Sequence, residues 1–474
     1  MSTPAPFSAV SFRDPDGVLQ HHEGRVLRLV REQAAKQFED MLGEPVVAEL
    51  MRAGHLVPTR PAMPQSIPEA WRGAAGTVYE HERIPFVSYP CEWPPAMLAR
   101  AAEFTLELAL KLLPAGLILK DATPANVLFR GSQPVFVDLL SIVRRPPGSF
   151  LWLARQQFEA CFLLPLIANI EAGIPIGWSL QDPASGISHE QVARILGARR
   201  WIRPGLIGSV ALPALLGHTE VSAGHGEREP RLANDERARY TLERTLRSLL
   251  SRTRRLAART GAATSHWGEY SSQRQHYRDA DLDQKRAFVA RSLEQCRPDW
   301  VLDIGANTGE FSALAARTSR VVAIDVDEVA AGAIFRRAQD QSLDIHPLVV
   351  NFARPTPAGG WRNAESVSFL DRCHERFEMV LMLAVIHHLR VTCGVPLASI
   401  VDTVARITRR ELVVEFVPST DPMFVRIARG RERLYQDYTR ESFESLLSDR
   451  FDIVESEILP NGRVLYRATR RQTH

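Results

Sequence analysis

From residue 300 onward, short apolar runs alternate with amphipathic stretches. Trp300-Val301-Leu302 is a strand-like run ending at Asp303, and Phe311 to Arg317 reads as helix. The runs Arg320 to Val326, Ile345 to Asn351, Glu378 to Ala384 and Glu411 to Val417 read as further strands. Helices are predicted between them over Glu328 to Gln341 and Pro396 to Thr408. This alternation predicts an α/β fold with a parallel, doubly wound sheet and ligands at the carboxyl ends of its strands. Phe451 to Ile458 and Arg463 to Thr469, joined by Leu459-Pro460-Asn461-Gly462, predict a closing antiparallel hairpin.

The first half has a different rhythm. Phe12 to Val30 is a candidate hairpin, Lys36 lies in a helical run, and Pro95 to Leu113 is amphipathic. After Gly116 comes a loop holding Asp121 and Asn126, a turn at Arg130-Gly131, and a strand ending in Asp138. A polar segment, Gly217 to Glu229, precedes Arg231 to Arg259, in which Leu242, Leu246, Leu249 and Leu256 recur at helical spacing beneath an arginine face. That run predicts a solvated connecting helix. The expected organisation is an α+β domain over 1–216, a linker with the arginine-rich helix over 217–262, and an α/β domain over 263–474.

Length and composition fit that division. At 474 residues the chain exceeds one ordinary core, so two domains are expected. With 45% hydrophobic and 24% charged residues it reads as globular rather than disordered. A net charge of only +3 argues against a dominant electrostatic grip on nucleic acid. Lys36, Lys111, Lys120 and Lys285 are the only lysines among 58 basic residues, a bias that fits a GC-rich bacterial genome. The five cysteines, Cys91, Cys161, Cys296, Cys373 and Cys393, form no C-x-x-C pair, which suits a reducing compartment. Phe158 to Ile170, the most apolar stretch, is too short to span a bilayer, and no secretory signal pattern opens the chain. A cytoplasmic protein with no membrane partner is expected.

The chemistry concentrates at Asp303-x-Gly305-x-x-x-Gly309. Glycines there let the backbone approach a ligand, and the following helix amino terminus offers unpaired N–H groups. The dinucleotide pattern G-x-G-x-x-G is absent. The next strand ends in Asp325, where a carboxylate can accept hydrogen bonds from ribose hydroxyls. This pairing resembles motif I of class I S-adenosylmethionine (SAM) methyltransferases. The resemblance implies a seven-stranded Rossmann-like sheet with an antiparallel last strand, and SAM as cofactor. Asp303, Gly305, Asn307, Gly309 and Asp325 would form the cofactor site, with Asn351 at the adenine. His387, His388 and Glu415, with Asp421 as a weaker candidate, follow the fourth and fifth strands, where proximity and a base serve methyl transfer. His388 before Leu389 reads as positional and His387 as nearer the acceptor. Trp267, Tyr270 and Tyr277 are candidate cofactor covers, and Lys285 a candidate contact for its carboxylate or for an acidic substrate. No metal site is expected in this half. An N/D-P-P-Y signature after the fourth strand is absent, which argues against amino-methylating DNA enzymes.

The spacing of Asp121, Asn126 and Asp138 resembles the catalytic loop and metal-binding strand of protein kinases and small-molecule phosphotransferases. In those families the first Asp orients the acceptor and the other two hold magnesium with ATP. Here Leu119 and Lys120 replace the usual His-Arg, Leu139-Leu140 follow Asp138, and no lysine stands in a V-A-I-K context. A degenerate kinase-like domain, used for binding, is therefore expected. The whole arrangement resembles bacterial class I methyltransferases related to host-specific nodulation proteins. The expected function is methyl transfer to O or N of a small-molecule or glycan acceptor, with the first domain contributing to acceptor binding. The alternatives are a bifunctional kinase-methyltransferase and a non-catalytic SAM-binding adaptor.

Overall fold

The computed structural model describes residues 13–198, 201, 203–216, 230–261 and 279–471. The predicted polar segment 217–229 and Trp267, Tyr270 and Tyr277 lie outside the described residues. Two compact units partition the chain: Met1–Ala262 with Gly359–Ser366, and Ala263–Ala358 with Val367–His474. Among the described residues no helix is long and apolar enough to cross a membrane.

Unit 1 opens with an antiparallel sheet of β1 (Gly17–His22), β2 (Arg25–Arg31), β3 (Thr59–Pro61) and β4 (Gly76–His81), in the order β1-β2-β4-β3. Glu23 and Gly24 turn the first hairpin with φ of 47° and 78°, the paired positive values that a two-residue turn between twisted strands demands. Helix α1 (Glu32–Leu42) buries Ala34, Phe38 and Met41 along one stripe, with the Phe38 ring edge-on to Tyr79 of β4 at 4.8 Å. Helix α2 (Pro95–Leu112) begins on a proline, whose missing N–H costs nothing at a helix start.

Short pairs follow: β5 (Leu117–Leu119) with β8 (Ile142–Arg144), and β6 (Val127–Arg130) with β7 (Gln133–Phe136). The arginine-rich run forms α3 (Asp235–Ala257), capped by the Asn234 side chain on the Arg237 N–H. Leu242, Leu246, Leu249, Leu250 and Leu256 are buried, and the helix lies along α2. It is thus a packed element of unit 1 as well as an arginine-faced one.

Unit 2 carries one seven-stranded sheet. Its strands are β9 (Trp300–Ile304), β10 (Arg320–Asp325), β11 (Ile345–Val349), β12 (Phe377–Met382), β13 (Thr408–Phe416), β14 (Phe451–Ile458) and β15 (Val464–Arg470). Their order is β11-β10-β9-β12-β13-β15-β14, with β9 to β13 parallel and β15 antiparallel to both neighbours. The β14–β15 hairpin places the last strand inside the penultimate one, against β13. Val301, Val321, Ala323, Met379, Leu381 and Val413 are buried in one core cluster together with Phe288 and Val289 of α4 (Asp279–Cys296). Strands covered on both faces need such near-continuous apolar runs. Helices α5 (Glu310–Ala315), α6 (Glu328–Asp340) and α7 (Leu397–Ile407) make the crossovers. Strand order reverses between β9 and β12, which opens a crevice at their carboxyl ends.

Leu246 is 0% exposed where α3 meets α2. Leu246→Ala is expected to destabilise unit 1 by about 2–5 kcal/mol through lost burial and a residual cavity, read as a lowered urea midpoint.

Candidate cofactor and acceptor site

The loop after β9 bends through three left-handed residues, Gly305, Asn307 and Gly309, with φ of 72°, 48° and 76°. A Cβ on Gly305 would stand 2.5 Å from Val385 Cγ2, and one on Gly309 2.7 Å from Ile334 Cγ1. Both positions therefore need glycine for space as well as for conformation. Gly305 and Ala306 donate their N–H groups to the Ile324 carbonyl at 2.9 and 3.0 Å. Asp325, at the end of β10, completes the closure: Oδ2 accepts from Asn307 N at 2.8 Å and Oδ1 from Asp327 N at 3.0 Å. Burial pushes its carboxyl up, against the pull of these N–H groups. An ionised carboxylate has about four acceptor sites, so each oxygen keeps capacity for a hydroxyl donor. That chemistry fits a ribose.

Asp303 takes a different position. It is buried, and Oδ2 accepts from Ser312 Oγ at 2.6 Å, bracing β9 against α5. Burial drives its carboxyl up to about 6, opposed by the Ser312 hydrogen bond. Asn351 lies exposed past β11, its Oδ1 accepting from Ala353 N at 2.9 Å. Asn307 is exposed at the loop crest.

Beyond β12, Ala384 holds φ of 55°, a costly conformation for a side chain with a Cβ. A π-helical turn, His388–Thr392, follows, a distortion that recurs at functional positions. His387 enters that turn 1% exposed, its ring 4.2 Å from that of His388. Neither ring nitrogen of His387 has a hydrogen-bond partner among the described residues. Burial, then His388, Arg463 and Lys285, hold its protonation far below the usual imidazole range. Burial and Arg463 act on His388 in the same direction.

Glu415 of β13 is fully buried between two cations. Lys285 of α4 bonds Oε2, and Arg463 Nη1 bonds Oε1 at 3.2 Å. Arg463 Nε donates to Asp421 Oδ2 at 2.8 Å, while Asp421 Oδ1 caps the helix Pro422–Ala428 through Met423 N at 2.8 Å. Burial alone would raise the Glu415 carboxyl, but Lys285 and Arg463 outweigh it and hold the group ionised below its ordinary range. Glu415 thus anchors cations, and Lys285 is committed to it. Arg463 escaped the sequence reading; its signal was a charged residue directly after an Asn-Gly turn.

In unit 1, Asp121, Asn126 and Asp138 gather around Ser141. Ser141 Oγ donates to Asp138 Oδ2 at 2.5 Å, and Asn126 Nδ2 donates to Ser141 Oγ at 3.3 Å. Burial raises the Asp121 carboxyl, Lys120 lowers it, and Asp138 raises it again. Arg28, buried on β2, donates from Nη1 to Asp138 Oδ1 at 3.1 Å and from Nε to His81 Nε2 at 3.2 Å. His81 must then carry its proton on Nδ1, 2.7 Å from Thr59 Oγ1. The sequence reading passed over Arg28, although a lone arginine inside the apolar run Val26-Leu27-Arg28-Leu29-Val30 was its mark. Among the described residues no three His, Cys, Asp or Glu side chains are grouped to hold a metal ion.

A glycine loop clipped by an acid at the switch point of a β11-β10-β9-β12-β13-β15-β14 sheet makes unit 2 a doubly wound, Rossmann-like α/β unit. The chain belongs to the family of nodulation protein NoeA. It is 33% identical over 465 residues to that protein of Rhizobium meliloti (strain 1021), across 97% of this chain and 95% of the relative. Among solved structures, it is similar to the N-methyltransferase NodS of Bradyrhizobium japonicum WM9, with 17% identity, TM-score 0.31, and coverage of 41% of this chain and 98% of that one. It is also similar to the magnesium protoporphyrin IX methyltransferase ChlM of Synechocystis PCC 6803, with 18% identity, TM-score 0.31, and coverage of 40% and 84%. No protein-family model matches the chain.

Two outcomes follow from the buried charges. Lys285→Met should destabilise unit 2 by about 3–5 kcal/mol in chemical denaturation, because part of the Glu415 charge loses its partner without regaining water. Asp303 binds its proton more tightly when folded, so its contribution falls as pH rises from about 4 through about 6. Unfolding curves of the native chain should therefore lose up to about 3 kcal/mol over that window relative to Asp303→Asn, and parallel pH profiles would refute the assignment.

Proposed function

We propose that this chain is a SAM-dependent methyltransferase that transfers a methyl group to O or N of a small-molecule or glycan acceptor, with unit 1 contributing to acceptor binding. The observation that carries the reading is the loop from Gly305 to Gly309 clipped by Asp325, whose two oxygens keep acceptor capacity toward the crevice edge. SAM, when bound, supplies an electrophilic methyl group on sulfur. The chain's residues do the rest. Gly305, Asn307 and Gly309 form the backbone cradle, and Asp325 is the ribose acceptor. Asp303 braces the cradle from behind through Ser312. His387 and His388, just past the carboxyl end of β12, are the groups assigned to the acceptor, and Glu415 orders Lys285 and Arg463.

Unit 1 invites a second reading, phosphoryl transfer, because Asp121, Asn126 and Asp138 surround Ser141. Against it, Arg28 already neutralises Asp138. We read unit 1 as a kinase-like remnant in which a guanidinium stands as the counter-charge of Asp138. ATP with magnesium, titrated calorimetrically into the intact chain, is expected to give no heat of binding; binding abolished by Asp138→Ala would restore the phosphotransfer reading.

Calorimetry with SAM tests the main reading. Asp325→Ala removes a charged acceptor worth about 1.5–3 kcal/mol and should weaken Kd by roughly tenfold to a hundredfold. Absence of SAM binding by the intact chain would refute it.

A further inference from the structure

The solvent face of α3 carries charge that methyl transfer does not use. The helix holds seven arginines against three carboxylates, a larger positive excess than the +3 of the whole chain. Arg247, Ser251, Arg254, Arg255 and Ala258 recur at helical spacing along one stripe. Together with Leu250 they line a cavity of about 440 Å³. Its shape follows from side-chain size: Ser251 and Ala258 are small, and the arginines around them are long, which leaves a notch between guanidiniums on successive turns. Arg247 stands one turn before Ser251, and Arg254 and Arg255 one turn after. Guanidiniums rooted about 11 Å apart along the axis can thus converge over the hydroxyl.

The partners these groups already have leave them capacity. Arg247 donates to Glu243 at 2.7 Å and Arg254 to Glu107 at 3.0 Å, but both arginines are more than half exposed, where such pairs contribute little. Arg255 has no carboxylate partner among the described residues, and its Nη1 donates to Ser251 Oγ at 2.8 Å. The Ser251 hydroxyl, engaged there as an acceptor, keeps its O–H to donate. Beside Arg255, the half-buried Arg252 makes no ion pair among the described residues. Burial holds its guanidinium below the usual range, Glu159 opposes, and Arg155 and Arg255 add to the effect of burial. Positive charge at these two turns is therefore incompletely balanced by the protein itself.

We propose that the notch on α3 binds a phosphate monoester borne by a small molecule, through Arg247, Arg254, Arg255 and the Ser251 hydroxyl. Donor number selects the anion. Three guanidinium forks and a hydroxyl present more donors than the two oxygens of a carboxylate take up, whereas a phosphate monoester offers three terminal oxygens and a charge of roughly −1.5 to −2. Leu250 and Ala258 give the organic part of the ester an apolar floor. The volume is that of a small-molecule site. A membrane surface fits less well, because Tyr240 is the only exposed large apolar side chain described on α3 and lies three turns from Ser251.

Calorimetric titration of the full chain, without SAM, tests the proposal apart from the methyltransferase reading. Glucose 6-phosphate is the probe, with glucose at equal ionic strength as its uncharged control; the first is expected to bind and the second to give no heat. Ser251→Leu fills the notch without changing charge or helix propensity appreciably, and should weaken the glucose 6-phosphate Kd by about tenfold or more. Arg255→Gln removes one charged fork and should weaken it by about tenfold to a hundredfold. Arg237→Gln, on the same helix but four turns from Ser251, should leave it unchanged. All three positions are exposed, so the urea midpoint should stay native in each variant. Were Ser251→Leu not to fold, Arg255→Gln against Arg237→Gln still decides. No heat with glucose 6-phosphate, or native affinity in Ser251→Leu, would overturn the proposal. Equal losses in Arg237→Gln and Arg255→Gln would do so too, since that is the diffuse attraction of a basic helix for any polyanion, a polynucleotide included. Retention on phosphatidic acid vesicles without a response to glucose 6-phosphate would assign the face to a lipid surface instead.

Discussion

Glu415 cannot stay ionised at 0% exposure without counter-charges, and Lys285 and Arg463 supply them from elements far apart in the chain. That requirement ties α4, which precedes the sheet, to β13 and to the hairpin that closes it. Asp421 extends the tie to the next helix. Because breaking a buried pair leaves a bare charge, the four elements are held in register by a penalty for separation more than by net attraction. Burial first, and then the fields of His388, Arg463 and Lys285, hold the His387 imidazole far below its ordinary range.

The two aspartates of the glycine loop show how placement divides similar side chains. Asp303, one residue before the end of β9, faces the Ser312 hydroxyl inside the core, while Asp325, the last residue of β10, gathers N–H groups at the crevice edge. One braces the loop and the other presents acceptors. Val385 and Ile334, packed against Gly305 and Gly309, leave no room for a Cβ at either turn. The loop is therefore shaped by side chains from β12's extension and α6 as much as by its own glycines.

Unit 1 applies buried charge differently. Arg28 links Asp138 to His81 and thence to Thr59, a chain of polar groups satisfied from within the protein. Such closed networks are stable and specific, and they leave Asp138 little capacity for a cation. Asp121, next to it, remains the acid of the group whose carboxyl burial raises.

The alternation of apolar runs was enough to foresee the five parallel strands and the closing hairpin, because burial on both faces demands a local pattern that any stretch of sequence displays. The glycines at 305 and 309 and the acid at 325 were legible for a similar reason: backbone conformation and strand-end position are local properties. The partners of charged groups were not. Arg28 with Asp138 and Lys285 with Glu415 are 110 and 130 residues apart, and nothing in periodicity couples them. Nor did sequence distinguish the inward Asp303 from the outward Asp325, or reveal that Glu415 anchors cations while the buried His387 nitrogens find no partner among the described residues. By itself the sequence determined the fold of unit 2 and the place of its glycine loop. Only the tertiary structure decided which ionisable groups are paired, buried or available, since solvation and counter-charge depend on neighbours that the folded chain alone brings together.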